Sequence, residues 1–509
     1  MPGDRPPAGN SASLLGSGAA EDSQEAKRKG PPVSPATYMA NLARIDTELF
    51  HTPEGEPYIA VPVCEYRENF RLRDPEFEEW LARRYFEQTQ RAASSSALAE
   101  ATKVLQGFSK YGAAEQRVYT RVAESEGGIF LDLADKSRHV AKVSPEGRLI
   151  VDRYPVKFRR PPGMQALPLP QPGGNVNELR PFVNVAGEDQ WVLLVAWLLS
   201  ALRPSGPYPL LVLQGNHGSS KSTVSRVMKS LSDPNTAPLR SAPRDIRDLM
   251  IAASNGWCMG FDNFSGVPDW LADAFCRLST GGGFSTRQLY TNGQEMLFNA
   301  MRPIVLNGID VGISRGDLLD RAIVLTLPSI SRAERMTEQA FWQSFEAAKP
   351  RVLGALLDGV ACGLRRLPEI NIPNLPRMAD FAKWIVACEP ALGWPEGTFL
   401  AAYERNRREN NELGLEGSIL VPALRDFAAK LAHWKGTTTE LLHLLEGFAL
   451  HGEAQDRTWP KVPKQLSEAL RRLAPNLEQE GIRIEFTKTS GSNSQKVIVI
   501  STEGASDSG

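Results

Sequence analysis

Residues Leu210–Thr223 read LLVLQGNHGSSKST, and this stretch decides the fold. The short apolar run predicts a buried parallel strand, the segment rich in Gly and Ser predicts a tight loop, and Lys-Ser-Thr follows where a helix would begin. Gly215 and Gly218 allow a backbone with positive φ, so that successive N–H groups can point at one anion. The pattern is typical of a phosphate-binding loop.

The polar residues of the loop have distinct expected roles. Lys221 would place its ammonium on the β- and γ-phosphates of a nucleoside triphosphate, and Ser222 would hold its Mg²⁺. The loop departs from the usual pattern at one position, because Ser220 stands where a glycine ordinarily precedes the lysine. Serine is small and keeps its N–H, so we expect the loop to close at some conformational cost. The residues expected to contact the nucleotide are Gly215, Asn216, His217, Gly218, Ser219, Ser220, Lys221, Ser222 and Thr223.

Length and composition limit the other possibilities. A chain of 509 residues is too long for one core, and its net charge of −1 means that any contact with nucleic acid must come from local basic patches. The five cysteines and six histidines show no metal-ligand spacing, which predicts reduced thiols and no zinc site. Trp191–Leu202, the longest apolar run, is too short to span a bilayer, and the N-terminus has no apolar signal core. We therefore predict a cytoplasmic protein.

Composition and hydrophobic periodicity divide the chain into seven segments, with an α/β core at its centre. The predicted fold class is a P-loop NTPase core, in which a parallel sheet is the middle of three layers. The segments are a disordered tail (1–36), an α+β domain (37–160), a linker rich in Pro and Gly (161–180), the α/β core (181–330), a helical lid (331–431), a helix–helix–hairpin module (432–503) and a disordered end (504–509).

A second apolar strand ends in an acidic residue. Trp257–Asn263 follows Lys221 by about one strand–helix–strand circuit, and Asp262 is the candidate for the carboxylate that organises Mg²⁺ together with Ser222. An aspartate that merely caps the loop after a buried strand is the alternative. The position of Asp262 relative to the phosphate-binding loop favours the metal role.

Further candidates follow along the chain. Phe284–Asn299 predicts a β-hairpin, and the next apolar strand ends at Asn307, placed to sense the γ-phosphate or to orient the attacking water. Arg321, or Arg315 in the preceding loop, could enter the nucleotide site of a neighbouring subunit and stabilise the charge of the transition state. A surface ion pair is the open alternative for either arginine.

These motifs, in this order, resemble those of AAA+ ATPases of the superfamily 3 helicase type. The likeness extends to the helicase half of phage and plasmid primase-helicases of the poxvirus type, and to prophage-associated bacterial ATP-binding proteins. It covers residues 180–330 well and the flanks loosely. It implies a hexameric ring of a mobile element that hydrolyses ATP with Mg²⁺ and translocates on DNA, with single-stranded DNA in a pore lined by the Phe284–Asn299 hairpin.

Two departures from that family matter. Asn263 stands where a second acidic residue is usual, and an amide can orient a water but cannot take its proton. Asp132 and Asp135 lack the spacing of a primase site and are more simply a turn at a strand end, so any primase would be a separate partner. An alternative function is therefore a nucleotide-switched ATPase that hydrolyses weakly and binds DNA or a protein, in a regulatory or defence role.

The C-terminal quarter predicts a separate DNA-binding module. Two helices followed by a hairpin are the arrangement of a winged helix, whose second helix would enter the major groove while Lys488 and Lys496 contact phosphate. A protein–protein module with a solvated basic face is the alternative. The predicted elements are the helices Thr437–Gly447 and Pro463–Leu473 and the strands Ile482–Thr487 and Lys496–Ile500.

Overall fold

The computed structural model describes residues 33–64, 66–287, 295–298, 300–309, 311, 316–331, 333, 335–416, 418–450, 452–488 and 495–502. The predicted disordered end at 504–509, the tip of the predicted hairpin and Arg315 lie outside these ranges. Of the predicted N-terminal tail only residues 33–36 are described, and the first helix already begins at Pro35.

The N-terminal module is a four-stranded sheet covered by three helices. Its strand order is β3-β2-β1-β4, and its core is formed by residues such as Met39, Ile59, Leu81 and Leu105. The elements are α1 (Pro35–Ala43), β1 (Glu48–His51), β2 (Pro57–Val63), β3 (Tyr66–Arg71), α2 (Pro75–Thr89), α3 (Ser95–Gly112) and β4 (Ala114–Glu115).

A second sheet follows, so the predicted α+β domain 37–160 contains two structural units. The strands are β5 (Val118–Tyr119), β6 (Val122–Ser125), β7 (Gly128–Asp132), β8 (Val140–Ser144), β9 (Gly147–Val151) and β10 (Lys157–Phe158). Strands β6 to β9 form an antiparallel meander, while β5 pairs with β10. Val122, Leu131 and Val143 belong to the same hydrophobic cluster as the central α/β core. The meander is therefore packed onto that core.

The segment predicted as a linker, residues 161–180, is a strap bound to the core along its length. Leu167 is only 2% exposed, and a Cβ on Gly174 would lie 2.1 Å from the carbonyl oxygen of Arg351. The segment ends in a short 3-10 helix, Val176–Phe182. The predicted linker is held in place, because its backbone N–H groups donate to carbonyls of three other segments: Gln165 to Pro234 (2.9 Å), Leu167 to Leu133 (2.8 Å) and Gln171 to Pro350 (2.9 Å).

The central core confirms the predicted α/β class with a parallel sheet. Its four strands are parallel in the order β12-β15-β11-β16. One face packs against α4 and α5 and the other against α6, α7 and α8, which gives three layers. The elements are α4 (Gly187–Ala201), β11 (Leu210–Gln214), α5 (Lys221–Ser232), α6 (Ile246–Ser254), β12 (Met259–Phe264), α7 (Asp269–Thr280), β13 (Phe284–Arg287), β14 (Glu295–Phe298), β15 (Ile304–Gly308), α8 (Gly316–Leu319) and β16 (Ala322–Thr326).

Three helices follow the sheet: α9 (Glu338–Arg366), α10 (Ala379–Cys388) and α11 (Thr398–Glu416). They share the hydrophobic cluster of α4, in which Trp384 is 1% exposed. Helix α11 also covers the outer edge of β16. The Asn406 side chain accepts the N–H of Val324 (3.3 Å) and donates to its carbonyl (2.7 Å), so an amide takes the place of a further strand.

The C-terminal module begins earlier than predicted. The predicted lid (331–431) includes helix α12 (Leu420–Lys430), yet Leu424 and Phe427 pack into one cluster with Leu466 and Ile500, so α12 belongs to this module. Strand β17 was not predicted. The sheet is antiparallel in the order β17-β19-β18. The elements are α12 (Leu420–Lys430), β17 (His433–Gly436), α13 (Thr438–Glu446), α14 (Pro463–Gln479), β18 (Ile482–Lys488) and β19 (Lys496–Thr502).

Within the described ranges, no single helix has the length and apolar character of a membrane span, although the bent pair Val176–Phe182 and Gly187–Ala201 qualifies by length and composition alone.

Candidate functional site

The loop between β11 and α5 lies where the strand order of the sheet reverses, since β11 has β15 on one side and β16 on the other. This position is the usual binding crevice of an open parallel sheet. Gly215 has φ 146°, and a Cβ on it would lie 2.6 Å from the carbonyl oxygen of Leu327. Gly218 has φ 81°. Both glycines are therefore required by the backbone, as the sequence pattern predicts.

Ser220 adopts the left-handed conformation, with φ 61° and ψ 25°. Glycine is usual at this position. The conformational cost predicted for the serine therefore arises from its left-handed backbone. A non-glycine residue held in this region costs about 1 kcal/mol or more. The loop nevertheless closes, and α5 begins at the next residue with Val224 N–H donating to the Ser220 carbonyl (2.9 Å).

The Lys221 ammonium lies in the hollow of the loop. It donates to the carbonyls of Gly215 (2.7 Å) and Asn216 (2.9 Å) and to Ser219 Oγ (3.3 Å). Burial lowers the pKa of Lys221, and nearby Asp262 opposes that shift. Ser219 is buried, whereas Asn216, His217 and Gly218 are exposed at the crest of the loop.

Ser222 and Asp262 meet at the start of α5. The Ser222 hydroxyl donates to Asp262 Oδ1 at 2.9 Å, across the gap between α5 and the end of β12. A hydroxyl and a carboxylate oxygen are suitable ligands for Mg²⁺, which takes few protein ligands and completes its shell with water and phosphate oxygens. These two side chains fit the predicted metal role.

Asn307 connects three elements at the same edge of the sheet. It is 1% exposed, its Nδ2 donates to Ser225 Oγ on α5 (2.8 Å), and its Oδ1 accepts the Asn263 N–H from β12 (3.3 Å). Asn263 lies in a bulge of β12 with φ 60°, and its side chain is exposed. Sequence reasoning missed Ser225, although its position one helical turn after Lys221 is a usable signal.

Arg321 lies at the opposite end of the sheet. It precedes Ala322, which pairs with Leu210 at the start of β11, so the length of β11, roughly 16 Å, separates it from the loop. Its guanidinium donates to the Asp317 carbonyl (2.6 Å). Arg321 therefore cannot reach the loop of its own chain, and a role in a nucleotide site requires a second molecule.

A cleft of about 580 Å³ adjoins the loop, and the sequence analysis did not predict it. Its wall contains Phe341 and Trp342, whose rings meet edge to face at 5.2 Å. Arg226 from α5 lies over the Trp342 ring at 4.5 Å and pairs with Glu338 at 2.7 Å. The adjacent aromatic residues Phe341 and Trp342, in the first turns of α9, are the sequence feature from which this cleft could have been predicted. The loop reaches the cleft through Ser220 and Thr223.

The residues proposed to contact DNA are only partly described. Strands β13 and β14 pair antiparallel, with Arg287 opposite Glu295, which confirms the predicted hairpin, while its tip lies outside the described residues. Lys488 and Lys496 pair across β18 and β19, and both are exposed.

The carboxylates near residue 132 contact neighbouring side chains. Asp132 accepts from Arg160 (2.5 and 2.8 Å), and Asp135 contacts His139 Nδ1 at 2.5 Å. Over the part of the chain that the structure describes, no group of three or more His, Cys, Asp or Glu residues could hold a metal. The contacts of Asp132 with Arg160 and of Asp135 with His139 support the interpretation of the acidic pair as a turn at a strand end.

Solved structures give remote resemblances. An active helicase, Cch of SCCmec type IV, is 11% identical with a TM-score of 0.46, covering 89% of this chain and 92% of that one. The C-terminal region of NrS-1 is 10% identical with a TM-score of 0.41, covering 92% and 100%. A full-length MCM homolog from Methanopyrus kandleri is 13% identical with a TM-score of 0.26, covering 66% and 90%.

Sequence comparison finds family models that match two regions of the chain. The curated proteins contain no match to the chain. Residues 176–406 match the family model of the actinomycete integrative conjugative element replication protein, and residues 420–508 match the model of the C-terminal domain of the same protein family. Both models match in order along one chain, so its α/β core and its C-terminal module are each similar to replication proteins of actinomycete integrative conjugative elements.

Proposed function

We propose that the protein is an ATP-hydrolysing DNA motor, a helicase-like ATPase that acts in replication of an integrated mobile element. The observation that carries the proposal is the convergence of Lys221, Ser222, Asp262 and Asn307 at the carboxyl edge of a parallel sheet, around a loop with Gly215, Gly218 and Ser220 at positive φ. The family's description as replication proteins supports the biological setting. A protein that acts on the DNA of such an element would lie in the cytoplasm.

The loop and its neighbours would divide the work of binding. Backbone N–H groups of the loop and the Lys221 ammonium would hold the phosphates, while Ser222 and Asp262 would hold Mg²⁺. When bound, Mg²⁺ supplies positive charge to the phosphate oxygens at which negative charge develops. The aromatic wall of the cleft would receive the adenine base, because Trp342 and Phe341 offer ring surface beside the loop.

Asn307 and Asn263 would position the water for attack. The buried Asn307 amide is fixed by Ser225 and by the backbone of β12, so its orientation is set before a nucleotide arrives. The exposed Asn263 side chain can orient a water but cannot accept its proton. Turnover by this chain is therefore slow unless another group serves as base.

The DNA-directed parts of the proposal rest on geometry at the other elements. A contact from Arg321 to a nucleotide requires a neighbouring subunit, as in a hexameric ring with the β13–β14 hairpin toward a central single strand. The order helix, strand, two helices and two strands over residues 420–502 supports a winged helix that contacts DNA phosphate. A separate primase would supply the primers.

The test is ATP turnover with and without single-stranded DNA, measured on the full chain. We expect stimulation by DNA, and we expect Lys221→Ala to abolish turnover because it removes the cation in the loop. Lys142→Ala, on β8 outside the α/β core, is the matched lysine control and should behave as wild type. Turnover that survives Lys221→Ala would overturn the proposal.

A second function, a nucleotide-switched binding protein, is favoured by two observations. Asn263 replaces the acid that a fast ATPase uses, and Ser220 strains the loop. This function predicts that wild type binds ATP tightly, hydrolyses it at the same low rate with or without DNA, and changes its DNA affinity when ATP is exchanged for ADP.

A further inference from the structure

Arg335 lies directly over the phosphate-binding loop. Its Nη2 is 3.7 Å from the point that a Cβ on Gly218 would occupy. The chain leading to it is attached to the loop, because the Ile330 N–H donates to the Gly218 carbonyl at 3.1 Å. Arg335 and Ser220 both line the cleft whose far wall is Trp342. Arg335 therefore lines the cleft, with one guanidinium nitrogen close to Gly218 of the loop.

The charge of Arg335 is not neutralised by a neighbour that the structure describes. Among the residues with assigned positions, no carboxylate lies within ion-pair distance of it, and its side chain is exposed. Arg226 lines the same cleft but is already occupied by Glu338 (2.7 Å) and by the face of Trp342 (4.5 Å). Of these two arginines, Arg335 is the one that no described residue holds in an ion pair, which leaves it to meet an incoming anion.

The position along the loop suggests which part of a nucleotide Arg335 would meet. The cleft meets the loop at Ser220 and Thr223, at the start of α5. From there it extends to the aromatic wall. Gly218 lies on the other side of Ser220, toward the crest, next to the hollow that holds the Lys221 ammonium. An arginine above Gly218 therefore faces the outer phosphates more closely than it faces the sugar or the base.

We propose that Arg335 donates hydrogen bonds to the outer phosphates of the nucleotide bound in its own subunit. This proposal rests on the proposed function. A guanidinium can bind two phosphate oxygens with its planar fork, which complements the point charge of Lys221. Arg335 would act within one chain, whereas Arg321 could act only on the site of a second molecule. Arg335 would thereby help the site to distinguish a triphosphate from a monophosphate.

The experiment compares binding of ATP and of AMP, each with Mg²⁺, to the full chain by calorimetry. We expect Arg335→Ala to weaken ATP binding by roughly 10-fold or more and AMP binding by no more than about 2-fold, because only ATP carries outer phosphates. Arg335→Lys keeps a charge without the fork and should bind ATP with intermediate affinity.

Two controls separate the possible outcomes. Arg365→Ala removes an exposed arginine near the other end of α9, roughly 40 Å away along the helix, and should bind both nucleotides as wild type does. Arg226→Ala alters the base wall and should weaken ATP and AMP equally.

Three results would contradict the role of Arg335 or the proposed function. Unchanged ATP affinity in Arg335→Ala, or an equal loss for ATP and AMP, would overturn the role of Arg335. Wild type that binds neither nucleotide would instead overturn the proposed function itself. Matching melting temperatures for wild type and both Arg335 variants exclude misfolding as the cause of a loss.

Discussion

The backbone strain of the phosphate-binding loop lies at one non-glycine residue, Ser220. A side chain at φ 61° sits where glycine would sit freely, and the two glycines of the loop are fixed by φ values of 146° and 81°. The site residues around it are held by protein contacts: Lys221 by loop carbonyls, Ser222 by Asp262, and Asn307 by Ser225. The site is therefore preformed, and the free-energy cost of its backbone conformation arises at Ser220.

Replacing Ser220 with glycine should stabilise the protein by about 1 kcal/mol, because glycine adopts the left-handed conformation without steric cost. Chemical unfolding measures the change. Ser230→Gly is the matched control: Ser230 lies inside α5, where glycine should instead destabilise by about 1 kcal/mol. A loss of stability in Ser220→Gly would contradict the assignment of strain to this residue.

Asn263→Asp should raise ATP turnover at least about 10-fold, since it supplies a carboxylate that can accept the proton of the attacking water. Aspartate, like asparagine, tolerates the φ of 60° at this bulge, so the backbone need not move. Steady-state turnover at saturating ATP is the measurement. Asn263→Ala is the control and should be no faster than wild type. If the aspartate variant is also no faster, a missing base does not limit the reaction.

Among elements, the junction between α5, β12 and the β6–β9 meander depends on one buried carboxylate. Asp233, which caps the end of α5, is 2% exposed and pairs with Arg121 (3.1 Å) and Lys229 (2.9 Å). It also accepts the N–H groups of Trp257 and Cys258, just before β12. The helix that follows the phosphate loop, the strand that carries Asp262 and the N-terminal region are thereby joined at one point.

Asp233→Asn should destabilise the protein by about 3–5 kcal/mol, because it leaves two buried cations undercompensated. Burial alone would raise the pKa of Asp233, but Lys229 and Arg121 outweigh it and lower the pKa from 3.8 to about 2. This carboxylate therefore contributes about 2 kcal/mol of stability above pH 4, and the contribution is lost as the pH falls toward 2.

Unfolding free energies of wild type and Asp233→Asn at pH 5 and pH 3 test both parts of this expectation. Wild type should lose more stability than the variant on acidification, since only wild type has this group to protonate. Arg83→Ala, which breaks an exposed pair with Glu87, is the control and should have little effect. Equal losses in wild type and Asp233→Asn would show that Asp233 does not titrate as described.

The paired lysines of the C-terminal hairpin, Lys488 and Lys496, should contribute to DNA binding through phosphate alone. The double alanine variant should weaken binding to all duplex sequences alike and reduce the slope of log affinity against log salt by about 2. Fluorescence anisotropy across a salt series measures both effects. Lys435→Ala, on β17 of the same sheet and exposed, is the control. An unchanged slope in the double variant would favour a protein-binding module.

Across the whole molecule, the elements that can be predicted from the sequence are those determined by apolar periodicity and turn residues within one segment. The strand, loop and helix at Leu210–Thr223, the hairpin and the strand that ends at Asn307 all follow from apolar runs and turn residues. The strap at 161–180 and β17 do not, because their hydrogen bonds join residues far apart in sequence; Trp434, for example, pairs with Ile500. Likewise the partner of Asn307, Ser225, and the aromatic cleft exist only once the chain is folded.

The most direct test of the central claim is calorimetric titration of ATP, with and without Mg²⁺, into wild type and Asp262→Ala. If Ser222 and Asp262 hold the metal of a bound triphosphate, Mg²⁺ should tighten ATP binding to wild type strongly and to the variant far less. ATP binding that gains equally from Mg²⁺ in both proteins, or an absence of ATP binding by wild type, would contradict the account.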